Sequence, residues 1–411
     1  MISQKYKILY LTYHPDIGGG ETILLSLLGN LDKKIFEPIV IITKKGQLSE
    51  KLKSLKVVTH ILPLPGYLIR TFFVPGMSPI GIHKTYQLIK SIKPDIIHLN
   101  HLNLAVYSGI AAKILRIPVI ATAHGSWDSI YFFQDIITKI FVDKILANTP
   151  QTAKNLAKRK ILDARKVKVI FFGVDTTIFK PANQKQTMVA RKILNLPQKN
   201  LIITIVGRLD PVKDHMTFLK GAKLVHEKLK NVTFYIVGSK LGDFSISPRK
   251  AGQSSSYEKQ IKDYLSKNPA LAEKIIFGGF IEFMPTVYNA TDILVSSSPR
   301  ESFGLAMAEG AACALPIVTT AGGAIVKNAQ TGFLVSPRNS KALAQKVLKL
   351  LKNPGLRKEF GENAKKHITR HFQLQDYVTR IENVYFKLLK TTAHIRRRRK
   401  MNLLNSSSSH S

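Results

Sequence analysis

Residues 293–310 read ILVSSSPRESFGLAMAEG. An apolar run of strand length passes through serines and a proline to a glycine, and a run of good helix formers follows. Strand, loop and helix in that order form the unit from which parallel sheets are built, because a parallel partner needs a crossover and a helix supplies it. The unit recurs along the chain. KILYLTY (7–13), EPIVIIT (37–43), DIIHLN (95–100), PVIATAH (118–124) and KILANT (144–149) read as strands, with helical segments such as ETILLSLLGNL (21–31) between them. After VKVIFFGVDTTIFKPAN (167–183) the composition turns polar through QKQTMVARKILNLPQKN (184–200). A second series then begins with LIITIVGRLD (201–210), VTFYIVGS (232–239), KIIFGGF (274–280), ILVSSS (293–298) and PIVTT (316–320). Two doubly wound α/β domains are expected, with the boundary near residues 180–198.

Length agrees, since 411 residues exceed what one compact core holds. Sixty-two Lys and Arg against 26 Asp and Glu give a formal charge of +36. Such a balance suits polyanionic surroundings, nucleic acid, anionic lipid or phosphorylated substrates, although a Lys-rich codon usage would produce part of it with no partner. One cysteine, Cys313, excludes an internal disulfide and a Cys-clustered zinc site, and its apolar neighbours suggest a core thiol in a reducing cytosol. The opening MISQKYKILYLTYHP reads as a first strand, not a signal peptide. No stretch approaches the ~20 apolar residues that span a bilayer. Segment 242–259 is rich in Gly, Ser and Pro and reads as a loop, and the tail with RRRRK (396–400) and a serine run reads as disordered.

In open α/β sheets ligands bind beyond the carboxyl ends of the strands. GRLDPVKD (207–214) places Arg208 and Lys213 on one strand-end loop, where a planar fork and a point charge suit a diphosphate; solvated surface cations are the alternative. If the helix after ILVSSS begins near Ser302 or Phe303, its free N–H groups and dipole make an anion site, with Gly304 leaving room for a phosphate. Glu301 precedes that terminus and Glu309 lies about two turns on, some ~10 to 12 Å away at ~1.5 Å per residue. That separation fits a ligand with hydroxyls at both ends and phosphates between them, as in a nucleotide sugar. Chance spacing of two glutamates is the plainer reading.

The E-x7-E pair Glu301 and Glu309, GRLDPVKD, GGAIVKNAQTGFLV (322–335) and HPDIGGGET (14–22) together resemble a family 4 retaining glycosyltransferase of the GT-B fold. KPDIIHLNH, ATAHG, GVDTTIFKP and YNATDILVSSS fall in the order expected of that family, so the resemblance runs from about residue 6 to 390. It implies two Rossmann-like domains facing a cleft, 1–182 on the acceptor side and 183–375 for the nucleotide sugar. It also implies a C-terminal helix, 376–391, returning toward the N-terminal domain, before the tail 392–411. It further implies that Arg208 and Lys213 hold the diphosphate, helped by backbone N–H groups of Ser302, Phe303, Gly304 and Leu305. By the same likeness Glu301 contacts the donor sugar, Glu309 the ribose, Gly19 and Gly20 approach the phosphates, and His124 lies beside the reacting sugar carbon. No metal and no cofactor is implied, in keeping with the lack of an Asp-x-Asp cluster. The expected reaction moves a hexose-type sugar to a glycan or lipid-linked acceptor in cell-envelope or surface polysaccharide synthesis.

Three positions depart from the family pattern: Phe172 where Asn is common, Ala314 where Gly is common and Lys327 near a usual acidic residue. Segment 62–84 mixes aromatics and aliphatics with Arg70 and Lys84, as an interfacial segment on anionic lipid would. A cytoplasmic protein, peripheral on the inner membrane face, is expected; a loop packed on the core is the alternative. A GT-B sugar-nucleotide epimerase is the competing activity. No nucleic acid is expected, since stacking motifs of RNA-binding modules are missing, and no G-x-G-x-x-G follows the first strand to support a NAD enzyme.

Overall fold

The computed structural model describes residues 5–64, 78–125, 132–238 and 248–407, without the side chains of 132, 248–255 and 392–407. The chain divides into two compact units, residues 1–173 with 375–411, and residues 174–374.

Among the described residues the first unit holds seven strands: β1 (Tyr6–Leu11), β2 (Phe36–Ile42), β3 (Val58–Ile61), β4 (Ile96–Leu99), β5 (Val119–Ala123), β6 (Lys144–Ala147) and β7 (Val167–Val169). Every pairing is parallel, in the order β3-β2-β1-β4-β5-β6-β7. Helices cover a parallel sheet on both faces, so its central strands must be apolar throughout rather than alternating. The burial follows: Ile8, Leu9 and Tyr10 of β1 and Ile96, Ile97 and Leu99 of β4 have no exposed surface. The crossover helices start at sequence-legible caps. Ser78 accepts from the Gly81 N–H ahead of Pro79, and Thr149 accepts from the Thr152 N–H ahead of Pro150.

The last helix, Leu374–Ser407, joins this first unit. Tyr385 carries the connection, since its hydroxyl lies 2.9 Å from that of Tyr10 and 2.6 Å from Nδ1 of His98. Nε2 of His98 reaches Thr122 at 2.8 Å, so a buried polar chain links β1, β4, β5 and the helix. Each group in it has a partner, which is what makes burying it tolerable. The helix continues past residue 391, where the sequence suggests a disordered tail.

The second unit holds β8 (Leu201–Val206), β9 (Val232–Val237), β10 (Ile275–Gly279), β11 (Ile293–Ser296), β12 (Ile317–Thr319) and β13 (Gly332–Leu334), all parallel, in the order β10-β9-β8-β11-β12-β13. Both sheets therefore reverse strand order beside their first strand. Two sequence expectations are corrected. The division between the units falls at residues 173/174, ahead of the expected 180–198, and the polar stretch after residue 183 lies within the second unit as the helix Gln184–Ile193, begun by a capping box of Asn183 and Gln186. Its Arg191 is buried, and its guanidinium donates to the carbonyls of Ala290, Gln198 and Asn200 and pairs with Asp292 at 2.7 Å. Residues 248–259, expected as loop, lie in the helix Pro248–Ser266; the rest of that segment, 242–247, lies outside the described residues.

Candidate active site

A doubly wound sheet opens a crevice where its strand order reverses, because the loops after the two strands there leave in opposite directions. In the second unit that point lies between β8 and β11. The loop 207–214 follows β8 and the loop 297–304 follows β11. Ser297 ties them together, its hydroxyl donating to the carbonyls of Lys213 at 3.0 Å and Asp214 at 2.8 Å. Lys213 Nζ donates to Glu301 Oε2 at 2.7 Å, with both side chains part-buried. Half-exposed Arg208 stands on the same loop, its guanidinium 3.7 Å from the Asp210 carboxylate. The Arg208–Asp210 pair, with its guanidinium half-exposed, contributes only about 0–1 kcal/mol. Arg208 and Lys213 thus put two cations on one strand-end loop, with the Glu301 carboxylate beside them.

The helix after β11 begins later than the sequence suggests, at Leu305, and runs to Ala312. Its N-cap is Gly304 at φ +83°, a left-handed conformation open to glycine. A Cβ there would meet Met307 Cε at 2.4 Å. The first-turn N–H groups are thus those of Leu305, Ala306 and Met307; of the expected set, Gly304 is the N-cap and Leu305 the first helical residue, whereas Ser302 and Phe303 precede the helix. Phe303 instead is buried, its ring edge-on to Phe372 with centroids 5.6 Å apart. Glu309 lies in the second turn and is 7% exposed. Tyr288 donates its hydroxyl to Glu309 Oε2 at 2.7 Å. Burial pushes the Glu309 carboxyl up to about 7, and the Tyr288 hydrogen bond pulls against that shift. Burial, then the Glu309 charge, raises the neighbouring Cys313 thiol to about 12, which makes it an inert core thiol.

The helix ends in a Schellman motif, with Leu315 N–H on the Gly310 carbonyl, Ala314 N–H on that of Ala311, and Ala314 at φ +60°. Ala314 thus stands at a left-handed position that favours glycine.

In the first unit the reversal lies between β1 and β4. The helix Gly19–Asn30 starts in the loop after β1, and Gly20 lies under the His124 ring, where a Cβ would sit 3.3 Å from it. Nothing lies within 4 Å of such an atom on Gly19. His124, just past β5, sets its Nε2 3.1 Å from Asn100 Oδ1, and its backbone carbonyl accepts from Asn148. Burial and the nearby His101 push the His124 imidazole down to about 3, so it is neutral at physiological pH. Phe172 packs on that ring, centroids 5.5 Å apart, and is itself buried.

A cluster missed in the sequence lies here. Glu21, 3% exposed, accepts from Thr12 Oγ1 and the Gly18 N–H, both at 3.3 Å, and lies 3.3 Å from His101 Nε2. Burial alone would raise this carboxyl, but the His101 hydrogen bond and the fields of His101, His14 and His124 outweigh it and hold it at about 2. His14, Glu21 and His101 offer ligand atoms within 4.8 Å of one another, a set fit for a metal ion among the described residues. Glu21 lies in the first turn of the helix Gly19–Asn30 after β1, and His101 two residues past β4, so the two come from the strands that flank the switch point.

Tandem doubly wound units, each with a site at its switch point, make up the GT-B architecture of the sugar-nucleotide transferases. The Glycosyltransferase Family 4 model matches residues 17–178, and the Glycosyl transferases group 1 model matches 187–367. The chain belongs to the family 4 glycosyltransferases and is a glycosyltransferase. It is 24% identical to the Escherichia coli UDP-Gal:alpha-D-GlcNAc-diphosphoundecaprenol alpha-1,3-galactosyltransferase, over 94% of this chain and 98% of that one. It is 25% identical to the Staphylococcus aureus capsular polysaccharide biosynthesis glycosyltransferase CapM, over 87% and 98%. Among solved structures, Anabaena HepE with UDP and glucose superposes with a TM-score of 0.77 at 20% identity, covering 92% of this chain and 99% of that one. A Rickettsia africae glycosyltransferase does so at 0.77 and 23%, covering 94% and 99%.

Proposed function

We propose that the protein is a retaining, metal-independent hexosyltransferase that moves a sugar from a nucleoside diphosphate donor to a glycan or lipid-linked acceptor of the cell envelope. The observation that carries this reading is the Lys213–Glu301 pair at the β8/β11 switch, with Arg208 on the same loop and the helix start at Leu305 beside Glu301. Lys213, Arg208 and the first-turn N–H groups stabilise the negative charge that gathers on the departing diphosphate, where preorganised donors act most strongly. Released from Lys213, Glu301 accepts hydrogen bonds from sugar hydroxyls, and Glu309 takes the ribose. The departing phosphate receives the acceptor proton in a front-face attack, so no carboxylate serves as nucleophile. Neutral His124 lines the acceptor side of the reacting carbon, with Gly20 opening the backbone below it. The transferase names of the relatives favour transfer over epimerisation. UDP in HepE and UDP-Gal in the name of the E. coli relative make UDP-hexoses the first donors to try.

A peripheral place on the inner membrane face belongs to the same proposal. No helix among the described residues is long and apolar enough to cross a membrane. The helices Ala105–Leu115 and Phe132–Phe141 pack together and expose Ile114, Phe133 and Ile140, each half-exposed or more, beside exposed Lys113, Arg116 and Lys139. Aliphatic and aromatic side chains among cations suit an anionic lipid surface. Most of the segment 62–84, expected to do this, lies outside the described residues.

The deciding experiment incubates the protein with UDP-, GDP- and ADP-hexoses in EDTA and polyprenyl-diphosphate-sugar acceptors, and reads the anomer of the product by NMR. Transfer with the donor's anomeric configuration kept supports the proposal; inversion, or activity that dies with EDTA, overturns it. Equal flotation with neutral and anionic liposomes would remove the membrane part.

A further inference from the structure

The three imidazoles around Glu21 are not used by the transfer chemistry beyond His124, and their arrangement is that of a metal chelate. We infer that His14, Glu21 and His101 form a binding site for a zinc-class divalent transition ion in the first unit. Two donors at ~2.0–2.1 Å from a tetrahedral ion lie about 3.3–3.4 Å apart. Glu21 Oε1 and His101 Nε2 stand 3.3 Å apart, so they already span one edge of such a tetrahedron. His14 closes the set, with all three ligand atoms inside 4.8 Å. Its ring centroid lies 5.5 Å from that of His101.

The surroundings fit the group. A ligating carboxylate needs its own hydrogen bonds to hold its orientation, and Glu21 has them from Thr12 Oγ1 and the Gly18 N–H. Tyr13 packs at a tilt against both imidazoles, 4.1 Å from His14 and 4.5 Å from His101 between centroids, and limits their rotation. Glu21 is buried while both histidines keep some exposure, so an ion has a route in through them. Two imidazoles and one carboxylate favour zinc, copper or nickel over magnesium and calcium, which prefer sets made of oxygen. Solvent, or a hydroxyl of a bound ligand, takes the fourth position.

Position gives the ion a consequence. The His101 ring lies 5.0 Å from that of His124, so a bound dication places its charge beside the histidine assigned to the reacting sugar. None of the three ligands is among the groups proposed to hold the diphosphate. The ion is therefore a regulator of a metal-independent transferase and not its cofactor, and zinc should change the rate of transfer. This consequence rests on the proposed role of His124, whereas binding of the ion does not.

Isothermal titration of the full chain with ZnCl2, alongside MgCl2, tests the site without any assay of transfer. One zinc per chain is expected with an affinity at least ~100-fold above that for magnesium, given the donor set. His101→Ala and His14→Ala, both on part-exposed side chains, should each weaken binding at least tenfold, and Co2+ should give the visible spectrum of a tetrahedral nitrogen–oxygen site that either substitution removes. Circular dichroism of each variant checks that it is folded. His367 and His371, one helical turn apart with centroids at 5.0 Å, are the rival chelate. Zinc binding that survives His101→Ala and disappears in His371→Ala overturns the inference, as does the absence of binding in the parent chain. Transfer that zinc leaves unaltered at saturation would remove the regulatory role and leave the site.

Discussion

The two switch points occupy the same place in two sheets of the same topology, and their side chains share almost nothing. Between β8 and β11 stand Arg208, Lys213 and Glu301, cations on a strand-end loop beside a helix start. Between β1 and β4 one buried carboxylate is ringed by His14, His101 and His124. The fold supplies a crevice at each reversal, and the side chains decide its chemistry. The second unit's switch carries two cations and a carboxylate on its loops, and the first unit's carries imidazoles around one buried carboxylate.

The largest effects come from substitutions that make one site fail and leave the other intact. Glu301→Gln should keep nucleotide binding within a few-fold and lose most turnover, by about 10²–10³ in kcat, in the range of a lost transition-state contact. Arg208→Ala should weaken both binding and turnover. Full activity in Glu301→Gln, read by steady-state kinetics, would break the comparison. In the first unit, His124→Ala should lower kcat by about 10² or more and leave nucleotide affinity unchanged; an equal loss of nucleotide affinity would place donor binding in the wrong unit.

A smaller effect follows from Glu309, whose carboxyl titrates at about 7. In the proposed role its ionised form accepts ribose hydroxyls, so nucleotide affinity should improve as pH rises from 6 to 8. Glu309→Gln should flatten that profile. Tyr288→Phe removes the bond that lowers the carboxyl and should move the midpoint to higher pH, since only burial then acts on it. Calorimetric titrations across pH read all three. Smallest is Ala314→Gly. A left-handed alanine costs about 1–2 kcal/mol, part of which the extra freedom of an unfolded glycine takes back, so a gain of up to about 1 kcal/mol in chemical denaturation is expected.

The parallel sheets were legible because their strands are buried on both faces and read as continuous apolar runs, as in LIITIV and KILYL. Lys213 and Glu301 were legible because they directly follow such runs. The burial of Arg191 in the helix Gln184–Ile193 was not, since it depends on the Ala290 carbonyl and Asp292, 99 and 101 residues away, together with the carbonyls of Gln198 and Asn200 past the helix end. The start of the helix at Leu305 escaped because Gly304 suits a helix terminus and a tight approach equally well, and only its φ of +83° separates them. The Glu21 cluster escaped for a different reason. His101 is 80 residues from Glu21, and no local pattern announces a partner that two strand ends bring together.

In the proposed site Lys213 leaves Glu301 to hold a diphosphate. Calorimetric titration of the parent chain and Lys213→Ala with UDP, GDP and ADP tests it most directly. One nucleotide should bind the parent chain, and its affinity should fall at least ~10-fold in the variant, the loss expected for a charge-assisted contact of about 1.5–3 kcal/mol. Equal affinity in the two proteins, or no binding of any of the three nucleotides, would contradict it.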